Sequence, residues 1–310
     1  MTEEQQMSKR TAWYYVVLAI KGLCMGAADV VPGVSGGTIA FITGIYTELL
    51  NSIKSINLPL FRLLLKGKFI DFWRQLNGTF LLLLVFGILL SIFSLSKFMR
   101  YLLDTHPIPV WSFFMGLVIA SAIYVLKPLK GLTYWSRLML AAGIGAALIV
   151  SKFSPAETPN GYWFILLTGA IAICAMILPG ISGSFIMLLM GKYEFIIDAL
   201  SSLQWDILLA FAIGATIGII SFSRLLSWLL KTYYNQTVCL LAGFMFGSIE
   251  KIWPWKEAVS EGVHRNILPA TYRDYTGFSP QTGVAVLFIF LGFFIVFGTE
   301  FLAKRVRRGQ

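Results

Sequence analysis

A 26-residue stretch occurs twice in this chain without a gap: "KGLCMGAADVVPGVSGGTIAFITGIY" from Lys21 lies over "TGAIAICAMILPGISGSFIMLLMGKY" from Thr168, a shift of 147 positions. Identical pairs include Pro32/Pro179, Gly33/Gly180, Ser35/Ser182, Gly36/Gly183, Gly44/Gly191 and Tyr46/Tyr193. Proline removes a backbone donor and glycine frees the backbone, so each Pro-Gly-x-Ser-Gly must stop one helix and start another. Both copies sit between apolar runs. The whole chain of 310 residues is 57% hydrophobic and 13% charged, with a mean hydropathy of +0.76, whereas soluble domains carry about 25% charged residues. Broken backbone at membrane depth survives only where protein or a wet cavity satisfies it. The sequence therefore describes an integral membrane protein organised around two helix breaks.

A second block, "SLSKFMRYLLDTHPIPVWSFFMG" from Ser94, aligns with "SFSRLLSWLLKTYYNQTVCLLAG" from Ser221 at a shift of 127 positions. The shorter shift reflects a basic linker, residues 51–78, in the first half. Ten apolar runs are long enough to enter a bilayer, near 13–31, 34–50, 79–96, 109–126, 136–151, 161–178, 182–200, 207–223, 236–250 and 282–302. The expected fold is an all-α integral membrane protein in a single membrane domain, 1–310. It comprises a first repeat over 13–151 and a second, inverted repeat over 161–302. Each five-segment half holds a Pro-Gly-broken, re-entrant helical hairpin and three transmembrane helices. The hairpin contributes an even number of crossings and the rest an odd one, which inverts the second half, a construction shared with secondary transporters.

With both termini cytoplasmic, sixteen Lys and Arg fall in predicted cytoplasmic parts and eight outside, as the positive-inside bias requires. The net charge of +10 lies between and after the apolar runs, without a basic, aromatic-interleaved stripe. Anionic lipid is thus a better partner than nucleic acid. Cys24, Cys174 and Cys239 are spaced for neither a metal nor a disulfide framework, and His106 and His264 fall in separate loops. No metal or cofactor is expected. Six tryptophans, Trp111, Trp135, Trp163, Trp205, Trp253 and Trp255, are expected in an interfacial belt.

Restarted helices at the breaks would offer free N–H groups and a serine hydroxyl, a combination suited to an anion such as phosphate. The candidate phosphate-binding residues are Ser35, Gly36, Gly37 and Thr38 in one copy, and Ser182, Gly183 and Ser184 in the other. Pro32, Gly33, Pro179 and Gly180 make the breaks. Charges inside apolar segments are functional candidates. Lys21 could meet a phosphate or snorkel, while Asp29 could bind a coupling ion or cap the adjacent break. Thr168 and Met176 replace them in the second copy, so the halves are chemically unequal. Lys97 and Arg224, at matching helix positions, are candidates for headgroup contact or for interfacial anchoring. Gly22, Gly44 and Gly191 are equally readable as packing residues.

The stretches "MGAADVVPGVSGGTIAFITGIY" and "AICAMILPGISGSFIMLLMGKYE" resemble the two signature stretches of the bacterial polyprenyl-phosphate (undecaprenyl-phosphate) transporters of the PopT type, formerly a domain of unknown function. The likeness spans residues 13–302. It implies a flippase of the bacterial plasma membrane that returns undecaprenyl phosphate from the outer to the inner leaflet for cell-wall synthesis; coupling to protons or sodium is an expectation that rests on Asp29. Two alternatives stand beside it. Membrane polyprenyl-pyrophosphate phosphatases carry a similar Pro-Gly-x-Ser-Arg-Ser, but Gly36 and Gly183 stand here where the arginine would be. An inorganic anion channel or exchanger could also use facing breaks, though nothing marks a narrow polar pore.

Overall fold

The computed structural model describes residues 12–30, 35–129, 131–152, 158–260 and 263–308. Pro32 and Gly33 lie outside these residues. The chain is helical almost throughout. Helix α1 (Ala12–Val30) leads into the first break, followed by α2 (Gly36–Ile42) and α3 (Tyr46–Lys54). Two short helices, α4 (Leu58–Leu65) and α5 (Phe69–Gln75), form the linker, and three longer ones follow: α6 (Gly78–Thr105), α7 (Pro107–Leu126) and α8 (Tyr134–Lys152). The order then recurs as α9 (Tyr162–Ile177), the second break, α10 (Gly183–Leu189), α11 (Tyr193–Ser201), α12 (Trp205–Thr232) and α13 (Tyr234–Gly247). A 3-10 turn (Ser248–Glu250), a hairpin of β1 (Lys256–Ser260) and β2 (Val263–Asn266), α14 (Pro269–Thr276) and α15 (Thr282–Arg308) complete the chain.

By length and composition α7, α8 and α12 can each cross a membrane, while α5 and the first part of α6 are apolar enough only together and meet at a bend of 64°. Helix α9 and Thr282–Gly298 are apolar but shorter. The chain is thus an all-α, multi-pass membrane protein, with the β-hairpin as an unanticipated exception.

The runs expected at 34–50 and 182–200 are not single helices. Each divides into a piece of seven residues and a piece of nine, the first rising only about 10 Å at 1.5 Å per residue. Gly44 and Gly191, both at positive φ (73° and 60°), make the divisions. The same two hydrogen bonds recur at each: Gly44 N–H to Phe41 O with Ile45 N–H to Ala40 O, and Gly191 N–H to Leu188 O with Lys192 N–H to Met187 O. This paired pattern is the Schellman helix ending, which favours glycine for its left-handed backbone. A Cβ at Gly44 would meet nothing within 4 Å, so that glycine is there for conformation rather than packing.

Four long helix pairs build the body: α1 with α6, α9 with α12, α7 with α15, and α13 with α8. Small residues let the backbones touch. A Cβ at Gly22 would collide with the Leu84 carbonyl, and one at Gly169 with the Phe211 carbonyl. Gly143 and Gly243 approach each other in the same way between α8 and α13. Buried Leu18, Phe80, Leu84, Val118, Leu241 and Met245 belong to one core cluster.

The linker is more than a basic connection. Helices α4 and α5 expose Leu58, Phe61, Leu65, Phe69, Ile70 and Trp73 among Arg62, Lys66, Lys68 and Arg74, the mixture found on helices lying in a membrane interface. The tryptophans divide into two groups. Trp135, Trp163 and Trp205 are exposed, as a belt requires. Trp255 is buried and donates to Pro280 O at 2.8 Å, Trp253 donates to Ile267 O at 2.9 Å, and Trp111 lies beneath Lys256. The structure assigns these three to anchoring the hairpin, because its strands and α14 fold back over the start of α7.

Candidate functional site at the paired breaks

The two breaks meet. Ser35, extended at φ −125° and ψ 137°, caps α2 by accepting from Gly37 N–H at 3.0 Å, while its own hydroxyl donates to Met176 O at 2.8 Å. Tyr46 donates to Ile177 O at 3.1 Å. Two carbonyls left open where Pro179 ends α9 are therefore satisfied by side chains 141 and 131 residues away. In return, Gly180 N–H donates to the Thr38 hydroxyl at 3.0 Å. Ser35, Thr38 and Tyr46 are buried, and a Cβ at Gly37 would collide with the Ile177 carbonyl. Tyr46 was visible only as half of a repeated Gly-x-Tyr, and the bond it makes depends on the tertiary fold.

Asp29 closes the first break. Its carboxylate accepts from Gly36 N–H at 2.7 Å, so the first two amides of α2 are held by Asp29 and Ser35. Capping was one of the two roles open to this residue. Lys21 works at the other end of the same helix, donating to Thr43 O at 2.8 Å, where a cation complements the carbonyl end of the dipole. It is thus placed away from Ser35. Arg224 donates to Ile56 O at 2.9 Å and ties α12 to the linker. Lys97 lies on α6, with its side chain outside the described ones.

The second break is built differently. Gly180 takes φ 85°, and Ser182 caps α10 without a side-chain hydrogen bond to the backbone. Its hydroxyl instead meets that of Ser184 at 2.8 Å. Beside it opens a small cavity of about 20 Å³ lined by Ser151, Gly180, Ser182, Phe185, Ser248 and Lys251. The Lys251 ammonium lies 4.0 Å from the centre of the Phe185 ring. Lys256 donates to Lys251 O at 2.7 Å and stands 4.1 Å over Trp111. Glu250, held by the Ser151 hydroxyl, is the neighbouring carboxylate. Burial, followed by the Lys251 charge, pushes the Lys256 ammonium down to about 8, opposed by Glu250. Burial also lowers Lys251, again opposed by Glu250. In sequence both lysines read as ordinary interfacial charges. Their only signal is that they frame the tryptophans of "KIWPWK", and the fold is needed to bring Lys251 to the cavity beside Ser182 and Lys256 to the Lys251 carbonyl.

The structure holds two apolar grooves, and the first of them borders α2 of the first break. One, of about 450 Å³, is lined by Ala28, Ile39, Thr43, Met99, Phe113 and Phe288 among others. The other, of about 400 Å³, is lined by Trp135, Met139, Leu229, Tyr233, Thr237 and Leu240 among others. Leu102, Val110 and Phe113 of the first align with Leu229, Thr237 and Leu240 of the second at the shift of 127 positions seen in the sequence. Cys24 borders the first groove, while Cys239 is buried as a small packing residue. No group of His, Cys, Asp or Glu suited to a metal occurs among the described residues.

These features define a multi-pass helical membrane protein with a polar centre at two contacting helix breaks and an apolar cleft beside the first. The chain belongs to the undecaprenyl phosphate translocase-like family, whose model matches residues 25–267, and the resemblance carried by the two signature stretches is borne out. It is 44% identical over 301 residues to the polyprenyl-phosphate transporter of Vibrio cholerae serotype O1, covering 94% of this chain and 98% of that one. It is 34% identical over 253 residues to the polyprenyl-phosphate transporter of Staphylococcus aureus, covering 76% of this chain and 85% of the other. These relatives are named as transporters, and no catalytic family is indicated. No solved structure matches the chain.

Proposed function

We propose that this protein carries undecaprenyl phosphate across the bacterial plasma membrane, from the outer leaflet to the inner, and so recycles the lipid for cell-wall synthesis. The observation that carries this reading is the contact of the two polar breaks, with an apolar groove of about 450 Å³ bordering the first. A polyprenyl phosphate is a single anionic group on a long hydrocarbon chain, and the site divides along the same line: polar groups at the breaks, and a cleft of ligand-sized volume along α2. The equivalent helix pairs α1/α6 and α9/α12, and α7/α15 and α13/α8, support two repeats, and the parity of their spans and the Lys and Arg bias support their inversion with both termini cytoplasmic. Repeats of this kind alternate access around a shared midplane site.

The phosphate is received by the hydroxyls and amides of the breaks, Ser182–Ser184 in the second and Ser35–Thr38 in the first. In the first break the Gly36 amide becomes available only when Asp29 withdraws. A proton or sodium ion taken up by Asp29 is the event that releases it, coupling the ion to the lipid.

Purified protein in proteoliposomes is expected to move undecaprenyl phosphate between leaflets without liberating inorganic phosphate. Flipping no faster than in protein-free vesicles would end this reading. Phosphate release from the pyrophosphate would favour the hydrolase.

A further inference from the structure

We propose that the phosphate group first docks at the second break only, in the cavity beside Ser182, with Lys251 and Lys256 as its cations. This inference rests on the transport reading and adds where the anion enters. The two breaks share the Pro-Gly-x-Ser-Gly sequence but carry opposite charge. In the first, a carboxylate stands 2.7 Å from Gly36 N, and an incoming phosphate would meet both an occupied amide and a like charge. In the second, Met176 occupies the position of Asp29. The Ser182 and Ser184 hydroxyls are bonded to each other and can turn outward to donate at no cost in secondary structure.

Lys251 has no basic counterpart in the first half. At the 127-residue shift, Tyr124 and Leu129 stand where the second half has Lys251 and Lys256. Lys251 lines the cavity, and Lys256, joined to it through the Lys251 carbonyl, supplies the second positive charge. Against them stands one carboxylate, Glu250, which Ser151 engages. The local balance is one net positive charge, under aromatic rings that exclude water and strengthen the attraction for an anion. At about 20 Å³ the cavity holds roughly one water. A phosphate therefore requires the ammonium of Lys251 to lift from the Phe185 ring and open it, replacing a cation–π contact with a charge-assisted hydrogen bond.

The two lysines have a readable consequence in pH. Lys256 has Lys251, Glu250 and the Trp111 ring around it, with the Glu257–Arg265 ion pair farther along the hairpin and Tyr272 on the packed α14. With its ammonium lowered to about 8, it loses its charge across the range in which a phosphate monoester is already fully ionised. Affinity should fall as pH rises from about 7.5 to 9.

The test measures binding of undecaprenyl phosphate, and of the uncharged undecaprenol, to the full chain in nanodiscs. Lys251→Gln and Lys256→Gln should each weaken binding of the phosphate by tenfold or more and leave the alcohol unchanged. Lys251→Arg and Lys256→Arg should retain binding, with the decline at high pH abolished in Lys256→Arg. Thermal melting of each variant identifies any that fail to fold, and the arginine pair carries the test for those. Gln variants within twofold of the parent, or an equal loss for the alcohol, would overturn the docking site. A parent protein that binds phosphate and alcohol alike would instead overturn the transport reading on which it rests.

Discussion

Gly37→Ala is expected to separate the two breaks and reduce lipid flipping by tenfold or more. The added methyl would collide with the Ile177 carbonyl, which also receives the Tyr46 hydroxyl. Backbone on both sides fixes the gap, so neither a rotamer change nor a flexible neighbour can relieve it. Overpacking of this kind costs about 1–3 kcal/mol, visible as a lower melting temperature in detergent. Gly44→Ala is the control. Its backbone is left-handed but its surroundings are open, so it should cost about 1–2 kcal/mol and leave flipping intact once folded. Full flipping in Gly37→Ala would show that the breaks work apart from one another.

Asp29→Asn should abolish the dependence of transport on pH or sodium and slow it by about tenfold, equivalent to roughly 1.4 kcal/mol. The amide oxygen can still accept from Gly36 N–H, so α2 stays capped, but the group can no longer change its charge. Asp29→Met, which copies the second break into the first, should leave Gly36 N–H without that partner. It should destabilise the fold by about 1–3 kcal/mol. Flux measured across a pH series at fixed sodium, and across a sodium series at fixed pH, separates the two ions. An unaltered dependence in Asp29→Asn would remove this residue from coupling.

The features repeated in the chain were those most legible beforehand. Pro-Gly-x-Ser-Gly placed both breaks, and both serines stand just before the helices that follow, although only Ser35 caps its helix through its hydroxyl. The recurring Gly-x-Tyr marked two more helix endings, although a long apolar run concealed that it held two short helices. Asp29 stood out because a carboxylate in an apolar segment is costly. Lys251 and Lys256 did not, since lysines after an apolar run are ordinary until a fold brings one to a cavity and the other to its backbone carbonyl. Trp111, Trp253 and Trp255 misled for the same reason: composition suggests a belt, while indole N–H groups aimed at Ile267 and Pro280 carbonyls hold a hairpin. Lys21, equally suggestive as a phosphate ligand, serves the opposite end of α2 from Ser35.

The pairing of α7 with α15 also imposes an order in time. Helix α7 ends at Leu126 and its partner begins only at Thr282, so on the ribosome one waits for the other. At about 5–20 residues per second that interval is on the order of ten seconds. During it Gly116, which later meets the backbone of Ile289, has only lipid or a temporary neighbour beside it. A chain shortened before α15 would remain in that state permanently. Quality control in the membrane would then meet a protein whose two breaks have both been made but whose body was never closed.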